Sequence, residues 1–539
     1  MKKILLKNAR IVSADSIDEK DIIISGGEIL KVCEIGEGED LLANIIDEKG
    51  DPNGLGAEKT FSGGGRSDVA GEQVVGVVNV GADDRGGLSH WVGEECEIID
   101  CSREGLYVLP GLIDAHVHFR EPGLTSKGDF ESESLAALMG GVTTIFDMPN
   151  TKPPTTTYQA FREKVKIAEE KCKCNFKLFV GAAFECEAKG KPTSKCDKND
   201  GAKKNVELAG KKANNKEIKK VLADKKLKNF LAGIKVYMGH STGGLGGGYE
   251  LLEEILKDDE LRGVPVVVHA EDQSCLDKFA GEFNAKNPAS HGRARPIECS
   301  VQAVKEACHL ARKYERPIHF AHVSSREELD VIDKFRGDNN KITCEVSPHH
   351  LFLNDEMYGK FGHFLKVNPP VRSKEEVSKL WEAIYDGEID IIATDHSPHA
   401  REEKGMKDKD GRIGLGMEVS NDASCETKAD AKFTMAEIPS GMPEVQTILP
   451  LLLNEVVSEK LGLKDIVRLC SAKPAEIFGL QKVGKIESGY RADLVIVDLN
   501  AEKKIRAGDL LYKCGWSNYE GRVLKGWPVK VILVGEVVN

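Results

Sequence analysis

The sequence predicts an α/β fold, a (β/α)8 TIM barrel with a small β-sandwich domain built from the N- and C-terminal segments. Three observations predict it. Eight apolar runs rich in β-branched residues lie between residues 106 and 396, helix-like stretches separate most of them, and short strands with turns occupy both ends of the chain. Strands that are buried on both faces and alternate with helices form parallel sheets, and eight such units close into a barrel.

The eight runs each end in polar or small residues, and in chain order they read LYVLPGLIDAH, VTTIFDMPN, FKLFVGAAF, AGIKVYM, VPVVVHA, PIHFAHV, KITCEVSPH and IDIIATDH. Intervening stretches such as SVQAVKEACHLARKY carry apolar residues three and four apart, which is the pattern of an amphipathic helix. We expect a last helical region, from MPEVQTILPLLL to AEIFGL, to pack outside the barrel.

The two ends of the chain share an alternating strand pattern and are expected to fold together beside the barrel. The predicted division is therefore a first part of the sandwich, the barrel, and a second part of the sandwich, over residues 1–105, 106–480 and 481–539. Polar, weakly periodic stretches interrupt this plan and are predicted to be surface insertions rather than domains, over residues 48–95, 185–218 and 403–438.

Composition narrows the class of protein. The chain has 539 residues, a net charge of -12 and no basic stripe interleaved with aromatic residues, so a nucleic acid partner is not expected. The longest apolar stretch falls short of about 18 residues, which argues against a membrane span and favours a cytoplasmic enzyme. Fourteen cysteines in so large a chain favour free thiols in a reducing compartment. A structural zinc site at the closely spaced Cys172, Cys174, Cys186 and Cys196 is a minor alternative.

Side chains that bind metals or transfer protons stand at the carboxyl ends of these runs, where parallel barrels build their sites: His116, His118, Lys235, His269, His322 and Asp395. His116 and His118 form an H-x-H pair, and residues two apart on a strand face the same side. Alone, such a pair is also compatible with two ordinary strand histidines. Three later strands that end in histidine or aspartate favour a shared metal centre.

Neutral imidazoles suit zinc and similar ions, and a carboxylate adds negative charge. Two ions about 3.5 to 4 Å apart can lower the pKa of a shared water and polarise a carbonyl, which suits the hydrolysis of an amide. Asp395 would then be both a ligand and the catalytic general base. Lys235 does not fit this scheme as an ammonium group, because it has no free electron pair, and its chemistry alone indicates a solvated or ion-paired lysine.

Longer strings of the sequence resemble the amidohydrolase superfamily, and within it the dihydroorotase family. They are DAHVHFREPG, DMPNTKPPT, EVSPHHLFL, KVNPPVRS, TDHSPH and GKIESGYRADLVIVD. The resemblance covers about residues 106–400, resumes at SGMPEVQTILPLLL and includes the last of these strings. It implies two divalent metal ions, with zinc favoured. His116, His118 and Asp395 would bind the first ion, His269 and His322 the second, and a carboxylated Lys235 would bridge both.

The remaining polar groups point to the substrate. Arg120 can pair with a carboxylate through two parallel hydrogen bonds, and dihydroorotate and carbamoyl aspartate carry a carboxylate whereas allantoin and hydantoin do not. The resemblance adds Asn150, Asn368 and His399 as further substrate contacts. On general grounds Asn150 also suits a turn and Asn368 a cap.

The resemblance therefore implies reversible cyclisation of N-carbamoyl-L-aspartate to (S)-dihydroorotate in pyrimidine synthesis. The alternatives are an allantoinase or hydantoinase, which would not need Arg120, and a catalytically inactive scaffold. The scaffold is disfavoured because all six candidate ligands are present. A homo-oligomer or an association with aspartate transcarbamoylase is the expected assembly.

Overall fold

The computed structural model describes residues 3–47, 78–79, 89–92, 96–185, 212–239, 245–337, 342–404 and 438–538. The first strands are β1 Lys3–Val12, β2 Ile17–Ser25, β3 Glu28–Cys33, β4 Val78–Asn79, β5 Ser89–Val92, β6 Cys96–Asp100 and β7 Leu106–Pro110. The next eight are β8 Leu112–Val117, β9 Val142–Asp147, β10 Asn175–Gly181, β11 Leu231–Tyr237, β12 Val266–His269, β13 Ile318–Phe320, β14 Ile342–Val346 and β15 Ile391–Ile392. The last strands are β16 Leu494–Lys504, β17 Val523–Leu533 and β18 Glu536–Val537.

The α-helices are α1 Glu37–Asp47, α2 Phe130–Met139, α3 Tyr158–Lys171, α4 Asn215–Ala223, α5 Gly248–Leu256, α6 Gln273–Phe279, α7 Ser290–Ala294, α8 Ile297–Lys313, α9 Arg326–Phe335, α10 Pro348–Phe352, α11 Tyr358–Phe361, α12 Lys374–Tyr385, α13 Ile448–Val457, α14 Leu463–Val467 and α15 Lys473–Ile477. Helices α2, α3, α9 and α12 each follow an Asp, Thr or Ser whose side chain accepts a hydrogen bond from the first turn. Such caps satisfy backbone N–H groups that have no partner within the helix.

Strands β8 to β15 form one parallel sheet in chain order, and this sheet closes on itself. Val117 pairs with His396 in a parallel bridge, and the backbone N–H of His118 donates to the carbonyl of His396 at 2.8 Å. The predicted TIM barrel is confirmed. Helix α15 is followed by Phe478, whose ring lies 5.0 Å from that of Phe146 inside the barrel. This packing fills the amino-terminal end of the barrel and leaves the carboxyl ends of the strands for a site.

Both ends of the chain contribute to the second sheet, as predicted. Strand β1 pairs with β2, β6 and β7, and β7 in turn pairs with β16 from the C-terminal segment. Buried apolar side chains from both ends, including Ile4, Ile22, Val108 and Ile496, form one hydrophobic cluster. The two ends of the chain are therefore held to each other by a core to which both contribute.

The first predicted barrel strand needs a correction. LYVLPGLIDAH is divided at Gly111: β7 belongs to the terminal sheet and only β8 belongs to the barrel. A side chain at Gly111 would lie 2.2 Å from Thr143 Oγ1, so the close passage between the two sheets requires glycine. A continuous apolar run cannot reveal such a division, because both halves are buried.

The expectation that the cysteines are free thiols is wrong at one pair. Cys275 of α6 and Cys299 of α8 form a disulfide, and the nine other cysteines within the described residues are free. Cys186 and Cys196 of the alternative zinc site lie outside the described residues.

Most of the three predicted insertions also lie outside the described residues, and the division into domains stays a prediction. No helix in the described ranges is both long enough and apolar enough to span a bilayer.

Candidate active site

The six candidate ligands meet at the carboxyl ends of the barrel strands. His116, Lys235 and His269 lie on β8, β11 and β12, whereas His118, His322 and Asp395 lie one, two and three residues past the ends of β8, β13 and β15; all six are buried. All but Lys235 line one small cavity of about 40 Å³, together with Arg120, Asn150, Tyr237 and Asn368. The parallel arrangement thus brings together residues up to 279 positions apart in the chain.

The ligand atoms of His116, His118, His322 and Asp395 lie close together. Nε2 of His118 lies 2.9 Å from Asp395 Oδ1, and Nε2 of His116 lies 3.3 Å from the same oxygen. Ligand atoms of His116, His322 and Asp395 all lie within 4.8 Å of one another. The group combines two kinds of donor, imidazole nitrogen and carboxylate oxygen, which are the usual ligands of zinc and related ions.

A second pair of imidazoles lies beside this group. His269 Nδ1 is 2.9 Å from His322 Nε2, and the ring centroids are 4.7 Å apart. Two imidazole nitrogens that face each other this closely can bind one ion together. The other ring nitrogen of His322, Nδ1, is buried and has no hydrogen-bond partner.

Lys235 is buried among these groups and its Nζ has no hydrogen-bond partner. Burial lowers its pKa to about 8, although the carboxylates of Glu345 and Asp395 act in the opposite direction. The ordinary pKa of a lysine is about 10.4, so a much larger share of this amine is neutral at neutral pH. A neutral amine is a nucleophile, as carboxylation by carbon dioxide requires.

Burial and neighbouring groups shift the pKa values of His118 and Asp395. Burial lowers the pKa of His118 to about 4 against the pull of Asp395. Burial by itself would raise the pKa of Asp395, but the surrounding imidazoles of His116, His118 and His322 hold it well below its usual value. Neutral imidazole and ionised carboxylate are the protonation states in which these groups bind metals.

Several partners of the histidines were not found from sequence. Nδ1 of His116 contacts Glu345 Oε1 of β14, and the other oxygen of Glu345 lies 3.2 Å from His319 Nε2. His269 Nε2 lies 2.9 Å from Glu271 Oε2, and Arg295 holds Glu271 through two hydrogen bonds. Such partners fix the orientation of a metal-binding imidazole. A single acidic residue inside the buried run ITCEV was the available signal for Glu345.

The backbone is strained at three positions of the site. Arg120, His322 and Asp395 have positive φ angles of 70°, 37° and 50°. Residues other than glycine rarely adopt this conformation, which costs roughly 1 to 2 kcal/mol each. Each strained residue directly follows or lies close to the end of a barrel strand, so the strain turns these side chains toward the common cavity.

The other wall of the cavity carries the predicted substrate contacts. Arg120 is buried, and its Nε donates to the carbonyl of Pro398 at 3.1 Å. Asn150 Oδ1 lies 2.6 Å from His118 Nδ1 and so also supports a candidate ligand. Asn368 Oδ1 accepts from Ser440 Oγ at 3.1 Å and lies 3.0 Å from His291 Nε2. These contacts hold the amides and the guanidinium in place at the cavity.

His399 lies behind this wall and does not line the cavity. Its Nε2 is 3.0 Å from Arg120 Nη2, and its Nδ1 is 3.1 Å from Lys127 Nζ and 3.3 Å from Glu403 Oε2. The same lysine donates to Glu403 Oε1 at 2.9 Å. The histidines of the PHH string lie elsewhere: His349 contacts Glu444, and His350 contacts the carbonyl of Pro369.

Comparison with known proteins places this geometry among the amidohydrolases. Residues 107–538 match the model of the amidohydrolase family. The chain is 32% identical to the dihydroorotase of Methanothermobacter thermautotrophicus over 86% of this chain and 90% of that protein. It is 33% identical to the dihydroorotase of Methanosarcina acetivorans over 81% and 82%, respectively. Among solved structures, the L-hydantoinase of Arthrobacter aurescens is similar with a TM-score of 0.73 at 26% identity, covering 100% of this chain and 96% of that one.

Proposed function

The chain belongs to the amidohydrolase family, and we propose that it is a metal-dependent dihydroorotase. It would convert N-carbamoyl-L-aspartate reversibly to (S)-dihydroorotate, a ring closure in pyrimidine synthesis. The archaeal dihydroorotases that are similar over most of the chain support this assignment. The observation that carries it is Arg120, a buried guanidinium in the same cavity as five candidate metal ligands.

The proposed cofactor is a pair of divalent metal ions, and the donor set favours zinc. His116, His118 and Asp395 would hold one ion, and His269 and His322 the other. A carboxylated Lys235 would lie between the two ions, because the carbamate offers two oxygen donors where the amine offers none. The buried, unpartnered nitrogen of Lys235 and the facing imidazoles of His269 and His322 fit this assignment. When bound, such ions lower the pKa of a water and polarise a carbonyl.

Asp395 has the proposed role of general base and acid. Its carboxylate is buried, ionised and on the wall of the cavity, where an attacking water and the ring carbonyl would bind. It would take the proton of that water and return it to the ring nitrogen as the amide bond breaks. In the direction of ring closure the same carboxylate would remove the proton from the carbamoyl nitrogen. Glu345 would keep His116 in its ligating orientation meanwhile.

Arg120 has the proposed role of binding the substrate carboxylate. A guanidinium pairs with a carboxylate through two parallel hydrogen bonds, and burial strengthens such a pair. Asn150 and Asn368 would contact the ring or the carboxylate from neighbouring loops. His399 would support the carboxylate site, and its position behind Arg120 makes an effect through Arg120 the simplest one.

A hydantoinase is the second candidate, since the L-hydantoinase structure matches the whole chain. A neutral hydantoin ring has no carboxylate, so a buried guanidinium beside it would be left without a charged partner. Leaving a buried charge unpaired is unfavourable by several kcal/mol. Arg120 therefore favours the carboxylated substrate, and the same argument applies against allantoin.

The experiment that tests the proposal measures both directions of the reaction with the purified protein. Its metal content is determined first, and carbamoyl aspartate and dihydroorotate are then interconverted with the protein as isolated and after chelation. We expect turnover in both directions, loss of turnover on chelation, and recovery with zinc. A fully metallated protein that converts neither compound would refute the proposed function.

Assembly and location extend the proposal further. A homo-oligomer, or a complex with aspartate transcarbamoylase, is the proposed assembly, and the proposed location is cytoplasmic. Light scattering of the protein with and without that enzyme would test the assembly. A particle of monomer mass in both cases would contradict it.

A further inference from the structure

Each ring nitrogen of His399 lies within hydrogen-bond distance of two groups. One of them can only donate a hydrogen bond, and the other can only accept one. At Nδ1 the donor is the ammonium of Lys127 at 3.1 Å and the acceptor is Glu403 Oε2 at 3.3 Å. At Nε2 the donor is Arg120 Nη2 at 3.0 Å and the acceptor is the carbonyl of Ser440 at 3.1 Å. Lysine and arginine cannot accept hydrogen bonds, and a carboxylate or carbonyl cannot donate them.

The imidazole is neutral in this environment. His399 is completely buried, and burial, with the adjacent charge of Arg120, holds its pKa well below the usual value. A neutral imidazole carries a proton on one ring nitrogen only, so its other nitrogen can accept a hydrogen bond from one of the two cations. Two arrangements follow, and they differ in whether Arg120 or Lys127 donates to the ring.

In the first arrangement the proton is on Nδ1. The ring then donates to Glu403, and its Nε2 accepts from Arg120 Nη2, so one of the two N–H groups of this guanidinium nitrogen is used within the protein. In the second arrangement the proton is on Nε2. The ring then donates to the carbonyl of Ser440, its Nδ1 accepts from Lys127, and both N–H groups of Arg120 Nη2 can bind other acceptors.

We propose that Lys127 is a positioning residue for substrate binding: its ammonium favours the His399 tautomer with the proton on Nε2 and thereby releases Arg120 for the substrate carboxylate. This inference rests on the proposed function, because it assumes an anionic substrate at Arg120. Lys127 suits the role because it is itself buried, with 6% of its surface exposed, and is held by Glu403 at 2.9 Å. It therefore reaches Nδ1 from a fixed position.

The pair of Lys127 and Glu403 makes the choice of tautomer adjustable. Glu403 competes with Lys127 for Nδ1 and favours the opposite tautomer, in which one N–H of Arg120 Nη2 is used within the protein. When a substrate carboxylate takes that N–H, the first arrangement loses its contact at Nε2 and the second keeps both of its contacts. Binding of a carboxylate and protonation at Nε2 are thus coupled, and this coupling disfavours a ring without a carboxylate.

The test compares Lys127→Met with Lys127→Arg, which keeps a donor, and with Lys219→Met, which removes a lysine paired with Asp258 and Glu260 on the outside of the barrel. We expect Lys127→Met to raise KM for dihydroorotate by roughly tenfold or more, the effect of one charge-assisted hydrogen bond, and to change kcat by less than about threefold. Lys127→Arg is expected to recover most of this loss. Lys219→Met is expected to leave both constants unchanged.

A second measurement detects the tautomer directly, and its main result comes from the ligand-bound wild type. Nitrogen-15 spectra of histidine-labelled protein, with the His399 signals assigned by loss in His399→Gln, distinguish a protonated Nε2 from a protonated Nδ1. We expect the wild type bound to dihydroorotate to carry the proton on Nε2, Lys127→Met to shift the population toward Nδ1, and Glu403→Gln to shift it toward Nε2.

The inference is overturned if KM of Lys127→Met stays within about twofold of the wild-type value, or if the ligand-bound wild type carries the proton on Nδ1. A rise in KM with an unchanged tautomer also overturns it, because Lys127 would then act only as a nearby charge. Failure of the proposed function is distinct, since a wild type that does not convert dihydroorotate gives no KM to compare.

Discussion

The two walls of the cavity are built differently. The metal wall carries the candidate ligands, which lie on barrel strands or within three residues of their ends, and Glu345 and Glu271 hold the imidazoles of His116 and His269. The substrate wall carries the predicted substrate contacts. Arg120 and Asn150 also lie three residues past β8 and β9, but Asn368 and His399 lie on loops farther from the strands. Arg120 and His399 are held by groups from other loops, such as the carbonyls of Pro398 and Ser440.

Because of this difference, the residues that bind the metal ions and the residues that select the substrate can change separately. A closed barrel fixes strand ends rigidly, as a shared pair of metal ions requires. Loops can vary without loss of the barrel, so the choice between a carboxylated ring and a neutral ring can change while the metal wall is kept. The likeness to dihydroorotases in sequence and to a hydantoinase in structure fits such a division. Substitutions that alter one wall at a time test this separation.

The largest effect is expected on the metal wall, at Asp395. Asp395→Asn removes the base and a ligand charge, so kcat should fall by about 1000-fold or more. Turnover of dihydroorotate by protein reconstituted with zinc is the measurement. Asp259→Asn, at an exposed side chain paired with Arg262, is the control. A reconstituted Asp395→Asn variant within about tenfold of the wild-type kcat would exclude Asp395 as the base.

On the substrate wall, Arg120→Ala should lower kcat/KM for dihydroorotate by roughly 100-fold, since it removes a charge-assisted pair with the substrate. Metal content should stay unchanged, because Arg120 contacts none of the proposed ligands by a hydrogen bond. Steady-state kinetics and metal analysis of the same sample test both statements. Arg262→Ala, at a mostly exposed arginine, controls for loss of charge. If the metal is lost together with activity, the two walls are not separable.

A smaller effect is expected at Glu345, which supports the metal wall without touching substrate. Glu345→Gln weakens the hold on His116 Nδ1, so affinity for metal should fall by about 10- to 100-fold, and kcat at saturating zinc should change much less. Competition with a coloured chelator measures the affinity. Glu260→Gln, which pairs with Lys219 at the surface, should have no effect. Unchanged affinity in Glu345→Gln would mean that the carboxylate does not orient the ligand.

The smallest expected effect is a pH dependence of activation. The amine of Lys235 has a pKa of about 8, and its neutral fraction grows as the pH rises through that value. Reactivation of decarboxylated, metal-free protein by zinc, at a fixed concentration of dissolved carbon dioxide, should therefore accelerate by about tenfold from pH 6 to pH 7 and level off above about pH 8. An ordinary lysine would continue to accelerate to about pH 10. A rate that keeps rising through pH 9 would contradict the depressed pKa.

The metal wall could be predicted from sequence because its residues recur at the ends of the repeated barrel strands. Each of His116, His269 and Asp395 stands at the carboxyl end of an apolar run, and parallel strands bring those ends together. The roles of individual ligands could not be predicted in this way. Lys235 gained its role only from family resemblance, because nothing in its local sequence shows that its amine is buried without a partner.

The substrate wall was predicted less completely. Arg120 and His399 were found from their motifs, but the sequence did not indicate that His399 lies behind Arg120, nor that Lys127 reaches its other nitrogen. Lys127 lies in a loop, and loops have no period from which contacts can be predicted. The division at Gly111 and the disulfide between Cys275 and Cys299 were missed for a similar reason, since both depend on contacts between elements distant in the chain.

The most direct measurement is the ratio of kcat/KM for dihydroorotate to kcat/KM for hydantoin, in the wild-type protein with both metal sites filled. A site that hydrogen-bonds a substrate group rejects an analogue without that group by about 10⁴-fold, so a ratio of that order is expected. A ratio near or below one, with full metal content, would contradict the claim that Arg120 selects a carboxylated ring.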